Sequence, residues 1–190
     1  FSDYAIYSFQ AIKHLTTIDG GLLITKKESD YERAKKLRWF GLDKNIERSK
    51  NMIKEAGFKY HMNDVNATIG LCQMNYLKSN VGEYVKNGRY FDEHINNKKL
   101  TKLNYHKSTY PAYWLYTLLT DHSEELIEYL YKNNIQASKL HKRNDLHPVF
   151  KESLTDLKGL NEFYSKFVHI GCGSWVSQSR SYIVDTLNKF

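Results

Sequence analysis

The pattern of apolar and polar residues predicts a chain built from both strands and helices. Residues 3–9 are rich in aromatic and β-branched side chains and residues 20–25 are largely apolar, which is typical of buried strands. Two such strands on either side of a loop favour a mixed sheet that is covered on both faces. Residues 28–40 carry apolar side chains at helical spacing and are predicted to form a helix. Residues 41–57 break the pattern, which indicates an exposed loop with one short turn.

A second helix is predicted from a capping residue followed by an apolar stripe. Asn63 is a good N-cap because its side chain can accept a hydrogen bond from the first helical turn, where Asp64 also suits the helix dipole. The stripe, which predicts that the helix packs by one face, consists of Val65, Ile69, Cys72 and Tyr76. We therefore expect Cys72 to be a buried, reduced thiol.

The remaining residues predict a small α/β domain. Residues 81–96 and 124–131 are predicted helices, and Asp121 with Glu124 forms a capping-box pattern before the second of them. Strands are predicted over residues 100–105, 112–119 and 136–141, and a final helix presents Ile183, Leu187 and Phe190 on one face. No internal repeat or low-complexity tract interrupts this order.

Length and composition indicate a globular protein. A chain of 190 residues, 41% hydrophobic and 26% charged, can bury a sizeable core. It contains no apolar run long enough to span a bilayer and no signal-peptide pattern, so we expect a soluble cytoplasmic protein. Cys72 and Cys172 allow at most one disulfide. Because the chain begins without Met and inside a predicted strand, we expect it to be the C-terminal portion of a longer polypeptide.

The net charge of +7 raises the question of nucleic-acid binding. The basic residues are mostly scattered lysines, without an arginine-rich arm or a recognised reading motif, so we expect no nucleic-acid partner. A basic surface also suits an anionic substrate such as a nucleotide diphosphate.

The loop between the first two predicted strands carries the strongest candidate chemistry. Lys13 follows Ser8 by five residues and precedes the pair Gly20-Gly21. An amine held at the mouth of a sheet can form a Schiff base with a cofactor aldehyde, and a nearby hydroxyl can hold the cofactor's phosphate. The alternative is a solvated loop lysine.

This loop resembles the pyridoxal 5'-phosphate (PLP) lysine loop of the DegT/StrS-type sugar aminotransferases, which are fold-type I enzymes. The matching residues are Ser8-Phe9, Lys13, Thr16-Thr17 and Asp19-Gly20-Gly21. The family more often has Glu at the position of Asp19, and its deoxygenating members have His in place of the lysine. Lys13 therefore favours transamination.

A second stretch, residues 57–67, is similar to the segment that follows the lysine loop in the same family. It reads Gly57-Phe58-Lys59-Tyr60-His61-Met62-Asn63-Asp64-Val65-Asn66-Ala67. In the family this segment lies at the dimer interface and reaches the phosphate of the partner's cofactor. Many members carry Asn where this chain has Lys59, which can still offer a phosphate a point charge.

The resemblance implies an α/β fold of the fold-type I PLP-transferase class. Residues 1–75 are expected to form the end of the large mixed-sheet, PLP-binding domain, and residues 76–190 the small C-terminal domain. The implied function is transfer of an amino group from glutamate or glutamine to a nucleotide-linked keto-deoxy sugar, in amino-sugar, lipopolysaccharide or glycan biosynthesis. The implied partner is a second copy in a homodimer, with no membrane. Roughly the first half of the family's chain is missing, so we expect the isolated chain to be inactive.

The resemblance also implies roles for individual residues. Lys13 is the expected catalytic residue, and Ser8, Lys13 and Lys59 are expected to bind PLP. The residues expected to contact the sugar are His14, His141 and Arg143. A solvated basic loop over residues 139–147 is the alternative for the last two, and a metal site there is disfavoured because no carboxylate or thiol cluster supports the histidines.

Two further alternatives concern chemistry and function. His169 and Cys172 are a candidate Cys/His dyad, but their spacing on a predicted strand places them on opposite faces. The alternative function is a non-catalytic binding or interaction module derived from an aminotransferase.

Overall fold

The protein, seen in a computed structural model, is described over residues 2–153 and 156–190 and divides into two compact units. Unit 1 is Phe1–Lys78 and unit 2 is Ser79–Phe190. Within the described residues no helix is both long and apolar enough to cross a membrane.

Unit 1 begins with an antiparallel pair of strands, β1 (Tyr4–Ser8) and β2 (Gly21–Thr25). Helix α1 (Glu28–Leu37) follows, then a loop with a short 3₁₀ turn, and then helix α2 (Asp64–Met74). The predicted strands, helices and loop of this unit are all present. Helix α1 ends before residue 40 because Trp39 pairs with Lys59 in an isolated β-bridge.

The expectation that β1 and β2 are buried is wrong within this chain. Most side chains of both strands are exposed, and Ile6 reaches 81% exposure. A two-stranded sheet has two faces, and the described part of unit 1 does not cover them. The exposed apolar side chains of the pair include Tyr4, Ile6, Tyr7, Leu22, Leu23 and Ile24.

The prediction that α2 packs through its apolar stripe is also wrong. Val65 and Tyr76 are mostly exposed, and Cys72 is an exposed free thiol rather than a buried one. The packed face instead contains Asn66 and the buried Gly70, which approach the loop between β1 and β2. The cap is as predicted, since the Asn63 side chain accepts a hydrogen bond from the Asn66 backbone at 3.0 Å.

Unit 2 contains a four-stranded antiparallel sheet in the order β3-β4-β6-β5. The central strands are β4 (Leu115–Leu119) and β6 (Phe167–Gly171). The strands predicted over residues 100–105 and 136–141 are only two residues long in the structure. They are the edge strands β3 (Thr101–Lys102) and β5 (Ala137–Ser138). Strand β6 contains His169, as the predicted strand around that residue indicates, and ends before Cys172.

Four helices accompany this sheet. They are α3 (Leu77–His94), α4 (Ser123–Lys132), α5 (Lys158–Lys166) and α6 (Arg180–Lys189). Helix α5 was not predicted. The predicted capping box of Asp121 and Glu124 does not form, because α4 begins after His122 without a side-chain capping bond. Asp121 instead forms an ion pair with Lys166 at 3.3 Å.

The hydrophobic core belongs to unit 2. One face of β4 and β6 packs with α3, α4 and α6, and the side chains with almost no exposure there include Phe91, Tyr116, Leu118, Leu126, Leu130, Val168, Ile170 and Leu187. Ile183 and Leu187 are buried on α6, as their spacing predicted, and Phe190 packs against the cluster.

Candidate functional site

The loop that carries Lys13 is closed by hydrogen bonds to the end of β1. The Phe9 backbone N–H donates to the Gly20 carbonyl at 2.9 Å, and the Thr17 N–H donates to the Phe9 carbonyl at 2.8 Å. The Lys13 N–H donates to the Gln10 carbonyl at 2.9 Å, which forms a tight turn. Lys13 is therefore held on a short, internally bonded loop.

Two threonines fix the shape of this loop. Thr16 Oγ1 donates to the Phe9 carbonyl at 3.2 Å and accepts from the Ile18 N–H at 2.9 Å. Thr17 is buried, and its hydroxyl donates to the Asp19 carbonyl at 2.7 Å. Gly20 has a φ of 142°, which side chains rarely adopt, and a Cβ there would lie 2.7 Å from Thr17 Oγ1. The Thr-Thr and Gly positions of the motif thus have a structural basis.

The two candidate cofactor residues of the loop lie at the same end of the strand pair. Ser8 is the last residue of β1, and its exposed hydroxyl accepts a weak hydrogen bond from the Gln10 N–H at 3.4 Å. Lys13 and His14 are half-buried in the loop that follows. A hydroxyl and an amine are thereby presented from one short segment.

Helix α2 docks on this loop through a residue that the sequence analysis did not single out. Asn66 Nδ2 donates to the Thr17 carbonyl at 2.8 Å and to the Asp19 carbonyl at 2.9 Å. Gly70 allows a close approach, since a Cβ there would lie 2.7 Å from Thr17 Cγ2. The two motifs found in the sequence therefore contact each other. One feature of the sequence could have pointed to Asn66. The helix is already capped by Asn63, so the amide of Asn66 in its first turn is available for another contact.

Lys59 lies in a cationic and aromatic neighbourhood of unit 1. It pairs with Trp39 in the β-bridge, and the His61 ring packs edge-on against Trp39 with centroids 4.0 Å apart. Lys44 Nζ lies 4.1 Å from the centre of the Trp39 ring. Burial lowers the pKa of His61, and the charges of Lys44, Lys59 and Arg38 lower it further.

This neighbourhood fits an anionic group. His61 Nδ1 is buried without a hydrogen-bond partner among the described residues, although a buried polar atom usually has one. Lysines beside an unsatisfied ring nitrogen are a suitable donor set for a phosphate such as that of PLP. The chemistry of the residues present is therefore compatible with the implied cofactor.

Arg143 in unit 2 is already engaged by a carboxylate. Its guanidinium forks onto Asp145, with Nη2 at 2.5 Å and Nε at 3.0 Å, and Nη1 also donates to Asn161. The hydrogen bond from Arg143 lowers the pKa of Asp145. His141 is exposed and lies beside Trp114, with ring centroids 6.4 Å apart. Asp145 was not predicted from the sequence as the partner of Arg143.

His169 and Cys172 do not form a dyad. His169 Nδ1 lies 3.0 Å from Thr117 Oγ1, whereas the Cys172 thiol donates to the Tyr84 carbonyl at 3.4 Å. Burial raises the pKa of Cys172 to about 12, so its thiol stays protonated at neutral pH. Across residues 2–153 and 156–190 there is no group of three side chains suited to hold a metal ion.

Solved structures with this fold define the class of the protein. The sugar aminotransferase CalS13 from Micromonospora echinospora superposes with a TM-score of 0.92 at 26% identity, covering 98% of this chain and 52% of that one. PseC of Helicobacter pylori, an aminotransferase involved in the biosynthesis of pseudoaminic acid, matches with a TM-score of 0.86 at 22% identity, over 100% of this chain and 53% of that one. The mixed α/β structure therefore has the fold of the fold-type I PLP sugar aminotransferases, and the predicted fold class is confirmed.

The sequence places the chain within one family. A family model for the DegT/DnrJ/EryC1/StrS aminotransferase family matches residues 1–188, and the chain belongs to that family. A Campylobacter jejuni relative, UDP-4-amino-4,6-dideoxy-N-acetyl-beta-L-altrosamine transaminase, is 25% identical over 98% of this chain and 52% of its own length. The resemblance inferred from the two motifs is thereby confirmed, and the chain spans about half the length of this relative.

Proposed function

We propose that this chain is the lysine-bearing portion of a PLP-dependent aminotransferase acting on a nucleotide-linked keto-deoxy sugar, with glutamate or glutamine as the amino donor. The observation that carries the proposal is the bonded contact between the two family motifs, in which Asn66 holds the loop of Lys13 through the carbonyls of Thr17 and Asp19. The substrates named for the relatives in this family support the sugar class.

Three side chains would hold the cofactor. Lys13 would bond to it covalently, and Ser8 would donate a hydrogen bond from its hydroxyl to the phosphate. Lys59 would offer a positive charge to the phosphate of a partner subunit's cofactor in a homodimer. PLP, when bound, supplies an electron sink for the carbon that gains or loses the amino group.

Lys13 would then act on protons. As a free amine, Lys13 would carry a proton to or from the reacting carbon of the substrate. Such a transfer requires a donor held within about 3 Å of its target. The bonds that close the loop, from Thr17 to Phe9 and from Asn66 to Thr17, would position Lys13 for this task.

Three further side chains would contribute to substrate binding. His14 follows the lysine, and His141 and Arg143 come from unit 2. Since Arg143 forks onto Asp145, its remaining donors would face a sugar or phosphate with the guanidinium plane already fixed. We also propose a cytoplasmic location and a role in lipopolysaccharide or other glycan biosynthesis.

The test uses the full-length protein of the natural source. Borohydride reduction in the presence of PLP should attach the cofactor to the peptide that contains Lys13, as read by mass spectrometry. Lys13→Ala should abolish transamination, whereas the matched control Lys26→Ala, at an exposed lysine just after β2, should keep it. Because the chain spans half its relatives, the 190-residue chain alone should bind PLP weakly.

Two results would overturn the proposal. One is attachment of the cofactor to a different lysine. The other is a Lys13→Ala protein that keeps its function, whether full transaminase turnover or, as expected of a non-catalytic interaction module, its biological role.

A further inference from the structure

A cleft in unit 2 is lined by none of the residues proposed above to bind the cofactor or the substrate. It has a volume of about 470 Å³, within the range of roughly 300–1,000 Å³ that is usual for small-molecule sites. It opens between the edge strand β5, the end of β6 and helix α6. Its polar and aromatic walls are formed by Gln136, Ser138, His169, Trp175, Ser179 and Tyr182.

Trp175 is an exposed aromatic ring held in a fixed position. Its side chain is 68% exposed, yet the ring meets Tyr84 edge-on with centroids 5.8 Å apart. A Cβ at Gly173 would overlap the six-membered ring of the indole, and a Cβ at Gly171 would lie 3.2 Å from Nε1. The indole therefore rests on backbone that only glycine leaves open, and it presents apolar surface to the cleft.

A second exposed aromatic ring that lines the cleft is also anchored. Tyr182 on α6 is half-exposed, and its hydroxyl donates to the Asn133 carbonyl at 3.1 Å. The hydroxyl is thereby occupied by a hydrogen bond within the protein, and the exposed face of the ring can contact a ligand in the cleft. Two anchored aromatic rings with free surface are the kind of arrangement that binds a ligand with an apolar face.

The cleft is electrically neutral. Its described lining includes no Asp, Glu, Lys or Arg, although 26% of the chain is charged. His169 is the one lining residue that titrates near neutral pH, and burial together with His141 lowers its pKa, which favours the uncharged ring. His169 Nδ1 is bonded to Thr117, so Nε2 is the nitrogen left to face a ligand. The described lining therefore offers no side chain of fixed positive charge to a phosphate or carboxylate.

We infer that this cleft binds a neutral pyranose ring, stacked on Trp175 and hydrogen-bonded by the surrounding hydroxyl, amide and imidazole groups. A pyranose has an apolar face of C–H groups and a rim of hydroxyls, which matches an aromatic platform bordered by Ser138, Gln136 and Ser179. This inference does not rest on the proposed transamination, because none of the residues assigned to that reaction lines the cleft.

The test uses the 190-residue chain labelled with 5-fluorotryptophan, which gives one fluorine resonance for each of its three tryptophans. The probes are N-acetylglucosamine and methyl β-D-glucopyranoside, and the comparison ligands are uridine and inorganic phosphate. Either sugar should shift the Trp175 resonance saturably, with a dissociation constant on the order of 1 mM for a ligand of this size. The Trp39 resonance, from unit 1, should not move.

Variants locate the binding in the cleft. Trp175→Ala should weaken sugar binding at least about tenfold in ligand-observed saturation-transfer spectra, because it removes the stacking surface. Tyr131→Ala removes a comparably exposed ring of unit 2 outside the cleft and should leave the affinity unchanged. Gly173→Ala keeps the indole but displaces it, and should reproduce the loss. Thermal unfolding verifies that each variant is folded.

The inference is overturned if neither sugar shifts Trp175 at concentrations tenfold above the expected constant. A stronger response to uridine or to phosphate would also overturn it, since the site would then select a base or an anion. Sugar binding that survives both Trp175→Ala and Gly173→Ala would place the ligand elsewhere on the chain.

Discussion

Ile18 occupies a backbone conformation that disfavours β-branched residues. Its φ is 70°, in the left-handed region, and its N–H donates a hydrogen bond to Thr16 Oγ1. Asn tolerates this region better, so Ile18→Asn should raise the free energy of unfolding by about 1 kcal/mol in urea denaturation. Ile18→Val keeps the branched Cβ and should show no gain. A less stable Asn variant would show that the loop is not strained there.

His169 gives the stability of the chain a pH dependence. Burial and His141 hold the pKa of His169 below its usual value of 6.5, so the unfolded chain takes up this proton more readily than the folded chain. The free energy of unfolding should therefore be greatest above about pH 6.5 and should fall as the pH drops below it.

Denaturant titrations at several pH values check this expectation. His169→Gln should flatten the decline, and His106→Gln, at an exposed histidine of the same unit, should not. His61 contributes in the same direction, because its pKa is also lowered, so the decline should be reduced rather than removed. An unchanged slope in His169→Gln would contradict the assignment.

Local chemistry determined which residues could be predicted from the sequence. The Asn63 cap follows from one side chain and the next helical turn, and the pattern Thr16-Thr17 followed by Asp19-Gly20-Gly21 reflects bonds made within the loop itself. The burial of Cys72 was mispredicted, and Asp145 as a partner of Arg143 was missed, because exposure and ion pairing depend on which elements lie nearby. Spacing along the chain does not contain that information.

Helix α3 offers a matched pair of glycines for a test at the level of the element. Gly88 faces the ring of Tyr113, which a Cβ would overlap, and the Tyr113 hydroxyl is tied to Asp92 at 2.5 Å. Gly82 lies on the same helix, and a Cβ added there would meet no heavy atom of the described chain within 4 Å. The close approach of α3 to Tyr113 therefore requires glycine at position 88 but not at position 82.

The two alanine variants should act in opposite directions. Gly88→Ala should lower the free energy of unfolding by about 1–3 kcal/mol through overpacking. Gly82→Ala should raise it by about 0.5–1 kcal/mol, since alanine is the better helix former at an exposed position. Urea denaturation measures both. If both variants were stabilised, the contact between Gly88 and Tyr113 would be looser than the structure indicates.

Helices with a regular apolar pattern were predicted better than elements whose length or packing face depends on the elements beside them. Helix α6 buries Ile183 and Leu187, as their spacing indicates. Strands β3 and β5 are shorter than predicted, because a strand at the edge of a sheet ends where its single neighbour stops pairing. In α2 the apolar stripe is exposed, and the packed face uses the amide of Asn66 instead.

At the scale of the whole molecule the two units differ in how much of their apolar side-chain surface they bury. Each of the largest fully buried side chains belongs to unit 2, whereas unit 1 exposes the apolar side chains of β1, β2 and α2. Burial of apolar surface is the main favourable term in folding, at about 25 cal/mol per Å². Most of the stability of the chain should therefore come from unit 2.

Native-state hydrogen exchange on the 190-residue chain tests this distribution. The backbone amides of β4, β6 and α6 should exchange only through global unfolding, and those of β1 and β2 should exchange through local opening at a much lower free energy. Running the experiment at two protein concentrations controls for self-association through the exposed apolar strands, which would protect unit 1 more at the higher concentration. Equal protection in the two units at the lower concentration would mean that hydrogen bonding within the lysine loop and its contact with α2 suffice to stabilise unit 1. In that case the loop of Lys13 would be preorganised in this chain without further burial of β1 and β2.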